Sequence, residues 1–121
     1  MTRSWDSILQ TYDSFANTKL PCVQLGNLVG KICQSPLERR IFGWTSHATL
    51  CIVPRPVTYP DYMPHLEIRQ LTSVALSFQY VDALDRTKQW QRTYEGEAAF
   101  GGLIGFLRNV RWIPDGEIGN L

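Results

Sequence analysis

Apolar residues near the start of the chain recur with a helical period. Trp5, Ile8, Leu9, Tyr12 and Phe15 follow one another at spacings of three, one, three and three, which puts them on one stripe of a helix. Ser4 suits the N-cap and Asp6 the positive end of the helix dipole. The helix is expected to stop near Asn17, because Pro21 and the residue before it resist continuation. Its polar face, Asp6, Ser7, Gln10, Asp13 and Ser14, holds no Lys or Arg. That predicts a helix packed on a sheet rather than an anchor on an anionic bilayer.

Residues 21–34 read two ways. Leu25, Leu28, Val29 and Ile32 have helical spacing, but Gly26 and Gly30 weaken a helix, and a short strand over 22–25 followed by an irregular turn fits as well. Ser35-Pro36-Leu37-Glu38 has the form of a capping box with proline at the first helical position. Only one turn can follow before Gly43, so it marks a tight corner.

From Trp44 onward the period falls to two. Residues 48–53 form a short apolar run, and 55–64 a stiff loop set by Pro56, Pro60 and Pro64. Leu66, Ile68 and Gln70 share one strand face, with Glu67 and Arg69 on the other. Val74, Leu76, Phe78 and Tyr80 alternate with Ala75, Ser77 and Gln79, the clearest strand signal in the chain. Thr72-Ser73 links the two as a hairpin, residues 82–85 make the next turn, and 87–94 make a further strand with Trp90 inward. Residues 97–110 close the pattern as a helix. Its Gly101, Gly102 and Gly105 each cost about 1 kcal/mol relative to alanine, which close approach of that face to the sheet would offset. No glycine-rich phosphate cradle precedes a helix start here. Trp112-Ile113-Pro114 finishes the fold, and 115–121 is expected to fray. The prediction is one α+β domain over residues 1–121: an antiparallel sheet of four to five strands in meander order, packed by an N-terminal and a C-terminal helix.

Composition narrows the function. The chain has 121 residues, 44% apolar and 19% charged, which is ordinary for a globular domain. Twelve Lys and Arg stand against eleven Asp and Glu. A nucleic-acid binder carries a basic excess, so no nucleic-acid partner is expected. Cys22, Cys33 and Cys51 match no zinc spacing, and an odd count without an apolar leader fits free thiols in a cytoplasmic protein. No apolar run reaches membrane-spanning length, so no membrane partner is expected.

Candidate chemistry is sparse. His47 and Cys51 would meet only on a helix, and in a strand they stand roughly 13 Å apart along the chain. The acid pairs Asp82/Asp85 and Glu95/Glu97 fall in turns or at a helix start, where solvation and capping explain them. No cofactor, metal or catalytic residue is predicted. The segment 80–97 stands out, with Tyr80, Asp82, Asp85, Arg86, Lys88, Trp90, Arg92, Tyr94, Glu95 and Glu97 in close succession. Aromatic and arginine anchors with flanking charges make protein–protein hot spots. Equally, Tyr80 and Trp90 can be core and the charges a solvated face.

The run Phe78-Gln79-Tyr80, Trp90-Gln91-Arg92, then Phe100, Phe106-Leu107 and Val110-Arg111-Trp112 resembles small bacterial immunity proteins of polymorphic-toxin and contact-dependent inhibition systems. The resemblance covers about the last fifty residues and is one of pattern. It implies a cytoplasmic protein that binds and occludes a cognate toxin domain, often a nuclease. On that expectation Asp82, Asp85, Glu95 and Glu97 pair with toxin cations, Trp90 or Tyr94 anchors, and Arg92 belongs to the same contact surface. The alternatives are a curved-sheet ligand-binding or enzyme domain, with Tyr12, Phe78 and Trp90 lining a pocket, and a dimeric secretion chaperone.

Overall fold

Each strand of the sheet pairs with its neighbour in sequence. The computed structural model describes residues 1–15, 22–57 and 63–113. Its elements run α1 (Trp5–Ser14), α2 (Val23–Cys33), β1 (Phe42–Ser46), β2 (Thr49–Val53), β3 (His65–Gln70), β4 (Ala75–Val81), β5 (Trp90–Glu95) and α3 (Gly96–Asn109). The five strands form one open antiparallel sheet in the order β1-β2-β3-β4-β5, the α+β meander that the periodicity predicts. Helix α2 touches β3 and β4, α3 touches β4 and β5, and α1 packs on α2 and reaches β1. Leu50, Ile52, Leu66, Ile68, Leu76 and Phe78 point from the sheet into the core shared with these helices, none of them exposed. Each such burial is worth roughly 1.5–3 kcal/mol. No helix among the described residues is long and apolar enough to cross a membrane.

Helix α1 starts as its sequence dictates: Ser4 Oγ accepts from the Ser7 N–H at 3.2 Å, satisfying one orphan donor of the first turn. Trp5, Ile8 and Tyr12 are buried. Trp5 Nε1 donates to the Ile41 carbonyl at 2.9 Å and the Tyr12 hydroxyl to that of Ala48 at 3.1 Å, so both amphipathic rings lie inside with their polar ends satisfied. The predicted stop near Asn17 lies outside the described residues, as do parts of the 55–64 loop and the 115–121 tail.

Of the segment read two ways, Val23–Cys33 is a helix. Leu25, Leu28, Val29 and Ile32 are all buried, and α1 comes close at one of the two glycines: a Cβ on Gly26 would stand 3.6 Å from that of Tyr12, whereas one on Gly30 would meet no atom of the described residues within 4 Å. Cys22 offers no side-chain cap. Gln70 of β3 caps instead, its Oε1 accepting from the Gln24 and Leu25 N–H groups at 3.0 and 3.3 Å. The corner at Ser35 is a 3-10 turn, Pro36–Arg39, with Ser35 Oγ accepting from the Leu37 N–H.

Several boundaries differ from the sequence reading. Strand β1 precedes the apolar run predicted over 48–53 and contains Gly43, whose Cβ would lie 2.7 Å from the Cys51 carbonyl oxygen and 3.1 Å from the Trp5 ring. The residue that obscured the strand is the one that lets Trp5 pack on it. Val74 is 57% exposed and lies in the β3–β4 turn, where Thr72 Oγ1 accepts from the N–H groups of Val74 and Ala75. Strand β5 starts at Trp90 rather than 87, because Asp85 caps a 3-10 turn over Arg86–Lys88.

Candidate protein-interaction site

Strand β5 is the last in the sheet, and its alternation divides two surfaces. Trp90, Arg92 and Tyr94 stand opposite Tyr80, Phe78 and Leu76 of β4, so their side chains turn to the helical face. Gln91, Thr93 and Glu95 turn to the other face. On the helical side, Tyr94 meets Phe78 edge-on at 4.8 Å between centroids, Trp90 meets Phe106 at 5.4 Å, and the Arg92 guanidinium sits 5.7 Å from the Trp90 ring centroid. Trp90 and Tyr94 are half-buried and Arg92 is exposed.

Helix α3 forms the opposite wall, and its three glycines behave differently. A Cβ on Gly102 would fall 2.6 Å from the Tyr94 ring, so here the predicted close approach to the sheet holds. Gly101 and Gly105 would meet no atom of the described residues within 4 Å, which corrects that expectation for these two. They border a cleft of about 410 Å³ between β5 and α3, with Trp90, Arg92 and Tyr94 on one side and Phe106 and Asn109 on the other.

The four predicted acidic contacts do not form one patch. Asp82 is buried, 6% exposed, and its Oδ1 accepts from the N–H groups of Leu84 and Asp85 at 3.1 and 3.0 Å. Asp85 accepts from the Thr87 N–H and hydroxyl and pairs with Lys88 at 3.9 Å. These two hold the β4–β5 connection, as short acids do in turns. Glu95 and Glu97 are exposed at the far end of β5, roughly 17 Å away by strand rise. Tyr80 belongs to the core, against Phe106 and Trp112 at 5.3 and 6.2 Å.

Arginines flank the Trp90 end of β5 and the C-terminal end of α3 among the described residues. Arg86, Arg92, Arg108 and Arg111 are exposed and make no ion pair with another described residue. Arg108 and Arg111 follow Phe106, whose ring fixes that end of α3 against Trp90. Sequence reasoning passed over this bias because net charge averages over the surface and the turn acids are hidden from it.

Thiol and imidazole groups lie elsewhere. Burial pushes the Cys51 thiol up to about 11, with the Glu67 carboxylate adding to it. Burial also raises Cys22 and Cys33. A raised thiol holds little thiolate at neutral pH, the reverse of nucleophile activation. His47 occupies the β1–β2 turn with φ 55°. His65, on the sheet face without helices, has Nδ1 3.1 Å from the Met63 carbonyl and Nε2 3.3 Å from Glu67, which also pairs with Arg69 at 3.2 Å. Among the described residues no three His, Cys, Asp or Glu side chains converge as a metal-holding group. Tyr12, Phe78 and Trp90 do not line one pocket: Tyr12 borders a depression between α1 and α2, Phe78 is fully buried, and Trp90 borders the β5–α3 cleft. Comparisons with protein-family models, with curated proteins and with solved structures give no match.

Proposed function

We propose that this chain is a protein-binding module without catalytic activity, most concretely an immunity protein that neutralises a cognate toxin domain by covering its active site. The observation that carries the binding reading is the β5–α3 edge. Trp90, Arg92 and Tyr94 project side by side from one strand beside a cleft, and Trp, Tyr and Arg are the residues in which interface energy concentrates. The immunity assignment itself rests on the sequence pattern of the last fifty residues. Contact through Trp90, Arg92 and Tyr94, with Glu95 and Glu97 on the rim, replaces the four-acid contact; Asp82 and Asp85 serve the turn.

Co-expression with a toxin encoded beside the gene is expected to give a complex of nanomolar affinity by calorimetry. Alanine at Trp90, Arg92 and Tyr94 together is expected to weaken it at least a hundredfold, at roughly 2 kcal/mol or more per hot-spot residue, with the thermal midpoint of the free variant followed alongside. Unchanged affinity in a folded triple variant would remove this surface from the interface. A purified chain that turned over a substrate unaided would overturn the reading altogether. The cleft also favours a second reading, a small-ligand site, which a metabolite screen by thermal shift separates from the first.

A further inference from the structure

The protein-binding reading leaves open how a partner engages the edge, and the backbone of β5 bears on that. The Gly96 N–H donates to the Val74 carbonyl at 2.7 Å. Antiparallel partners alternate between pairs that exchange hydrogen bonds and pairs that do not. Counting back from Val74 and Gly96 along the β4–β5 register, the bonded partners on β5 are Tyr94, Arg92 and Trp90. The N–H and C=O groups of Gln91, Thr93 and Glu95 therefore point away from β4, toward the free edge of the sheet. Among the described residues no strand or bridge pairs with that side.

We propose that the β5–α3 cleft takes an extended acidic segment of the partner protein, added to the sheet as a sixth strand beside β5. This deepens the protein-binding reading and rests on it. Strand addition draws affinity from main-chain hydrogen bonds and selectivity from the places that receive alternate side chains. An added strand lies roughly 4.8 Å from β5, under the flank of α3 where Gly101 and Gly105 carry no side chain. Every second residue of the segment then enters the cleft between that bare helix surface and the Trp90 and Tyr94 rings. The charge selects the occupant. Arg92 stands in the cleft, Arg86 lies in the turn that leads into β5, and Arg108 and Arg111 lie at the C-terminal end of α3, while Asp82 and Asp85 are committed to their turn. Aspartate or glutamate at the positions beside Arg92 meets these cations, away from Glu95 and Glu97 at the far end of β5; lysine there is repelled.

The probe is a randomised peptide library displayed on phage, selected on the whole chain, with the recovered peptides then synthesised. They are expected to alternate acidic and β-branched residues, and to protect the amides of Gln91, Thr93 and Glu95 from hydrogen exchange. Methylating alternate peptide nitrogens, which removes ladder donors, is expected to weaken binding at least tenfold. Exchange of the acids for lysine is expected to do the same, as are Arg92→Ala and Gly101→Leu. Gly101→Leu fills the cleft while favouring the helix. Recovered peptides that are basic or helical, or that bind undiminished after methylation, would overturn the proposal. So would an Arg92→Val chain that becomes a dimer in light scattering with no peptide recovered from the parent, since Arg92 would then only guard the edge against a second copy. If a toxin partner binds but ignores Gly101→Leu and leaves those amides unprotected, strand addition falls and the protein-binding reading stands. If neither peptide nor toxin binds, both fall.

Discussion

The two edges of the sheet are finished in opposite ways. At β1, Arg3 bridges to Gly43, its N–H donating to the Gly43 carbonyl at 2.8 Å and its guanidinium to Thr45 Oγ1 at 2.9 Å. The Trp5 ring covers the same glycine from the helical side. At β5, the ring of Tyr94 covers Gly102, but Gly101 and Gly105 lie bare beside a cleft, and the backbone of Gln91, Thr93 and Glu95 faces outward. An unpaired edge invites another chain, and proteins commonly cover or charge it. This chain bridges one edge at Gly43 with its own N-terminal residues and leaves aromatic rings and an arginine along the other. A glycine under a ring serves internal packing; a glycine in open space costs helix stability with no return from within the fold.

That contrast can be tested by substitution. The largest effect is expected from Trp5→Ala, which empties the space over Gly43 and leaves the Ile41 carbonyl without its donor. It should cost about 3–5 kcal/mol in urea unfolding, and the half-buried Trp90, truncated likewise, should cost clearly less. Equal losses at the two tryptophans would erase the difference between the edges.

The glycines sharpen the same point with opposite signs. Gly43→Ala pushes a methyl against a backbone oxygen, and Gly102→Ala against the Tyr94 ring; each should destabilise by about 1–3 kcal/mol. Gly101→Ala and Gly105→Ala should stabilise by up to about 1 kcal/mol each, since the helix gains and nothing is displaced. Thermal unfolding of the four single variants decides it, and destabilisation at Gly105 would mean that the helix flank is already filled.

The mildest effect is one of pH. The Cys51 thiol, opposite Trp44 in β2, ionises at about 11 in the folded chain against 9.0 unfolded, so the folded state holds its proton more tightly. That contribution is complete below pH 9 and is lost as pH rises toward 11. Tyr12, also pushed above its ordinary 10.0 by burial, extends the decline. The thermal midpoint should fall across this window, and Cys51→Ala should flatten the first part of the fall. An identical pH profile in that variant would place the titration elsewhere.

Much of the fold was legible because it is written in short-range signals. The Trp5–Ile8–Tyr12 stripe, the Ser4 cap and the alternation of Leu76, Phe78 and Tyr80 each depend on neighbours a few residues away. The site was legible only in part. Trp90, Arg92 and Tyr94 share a strand face by period two, so their grouping could be read. Asp82 looked like a surface acid because nothing in the one-dimensional pattern tells that its carboxylate folds back onto the N–H groups of Leu84 and Asp85.

By itself, then, the order of residues determined where helices and strands form and which face of each is apolar, because propensity, capping and side-chain period are local. The tertiary structure alone decided the rest. Residues 23–33 became a helix because Gln70, more than forty positions away, accepts from its first N–H groups and because α1 lies over Gly26. Which glycine is packed and which is bare, and which sheet edge is bridged by the N-terminal residues, follow from atoms distant in the chain. Those contacts exist only once the strands have paired and the helices have settled on one side of them.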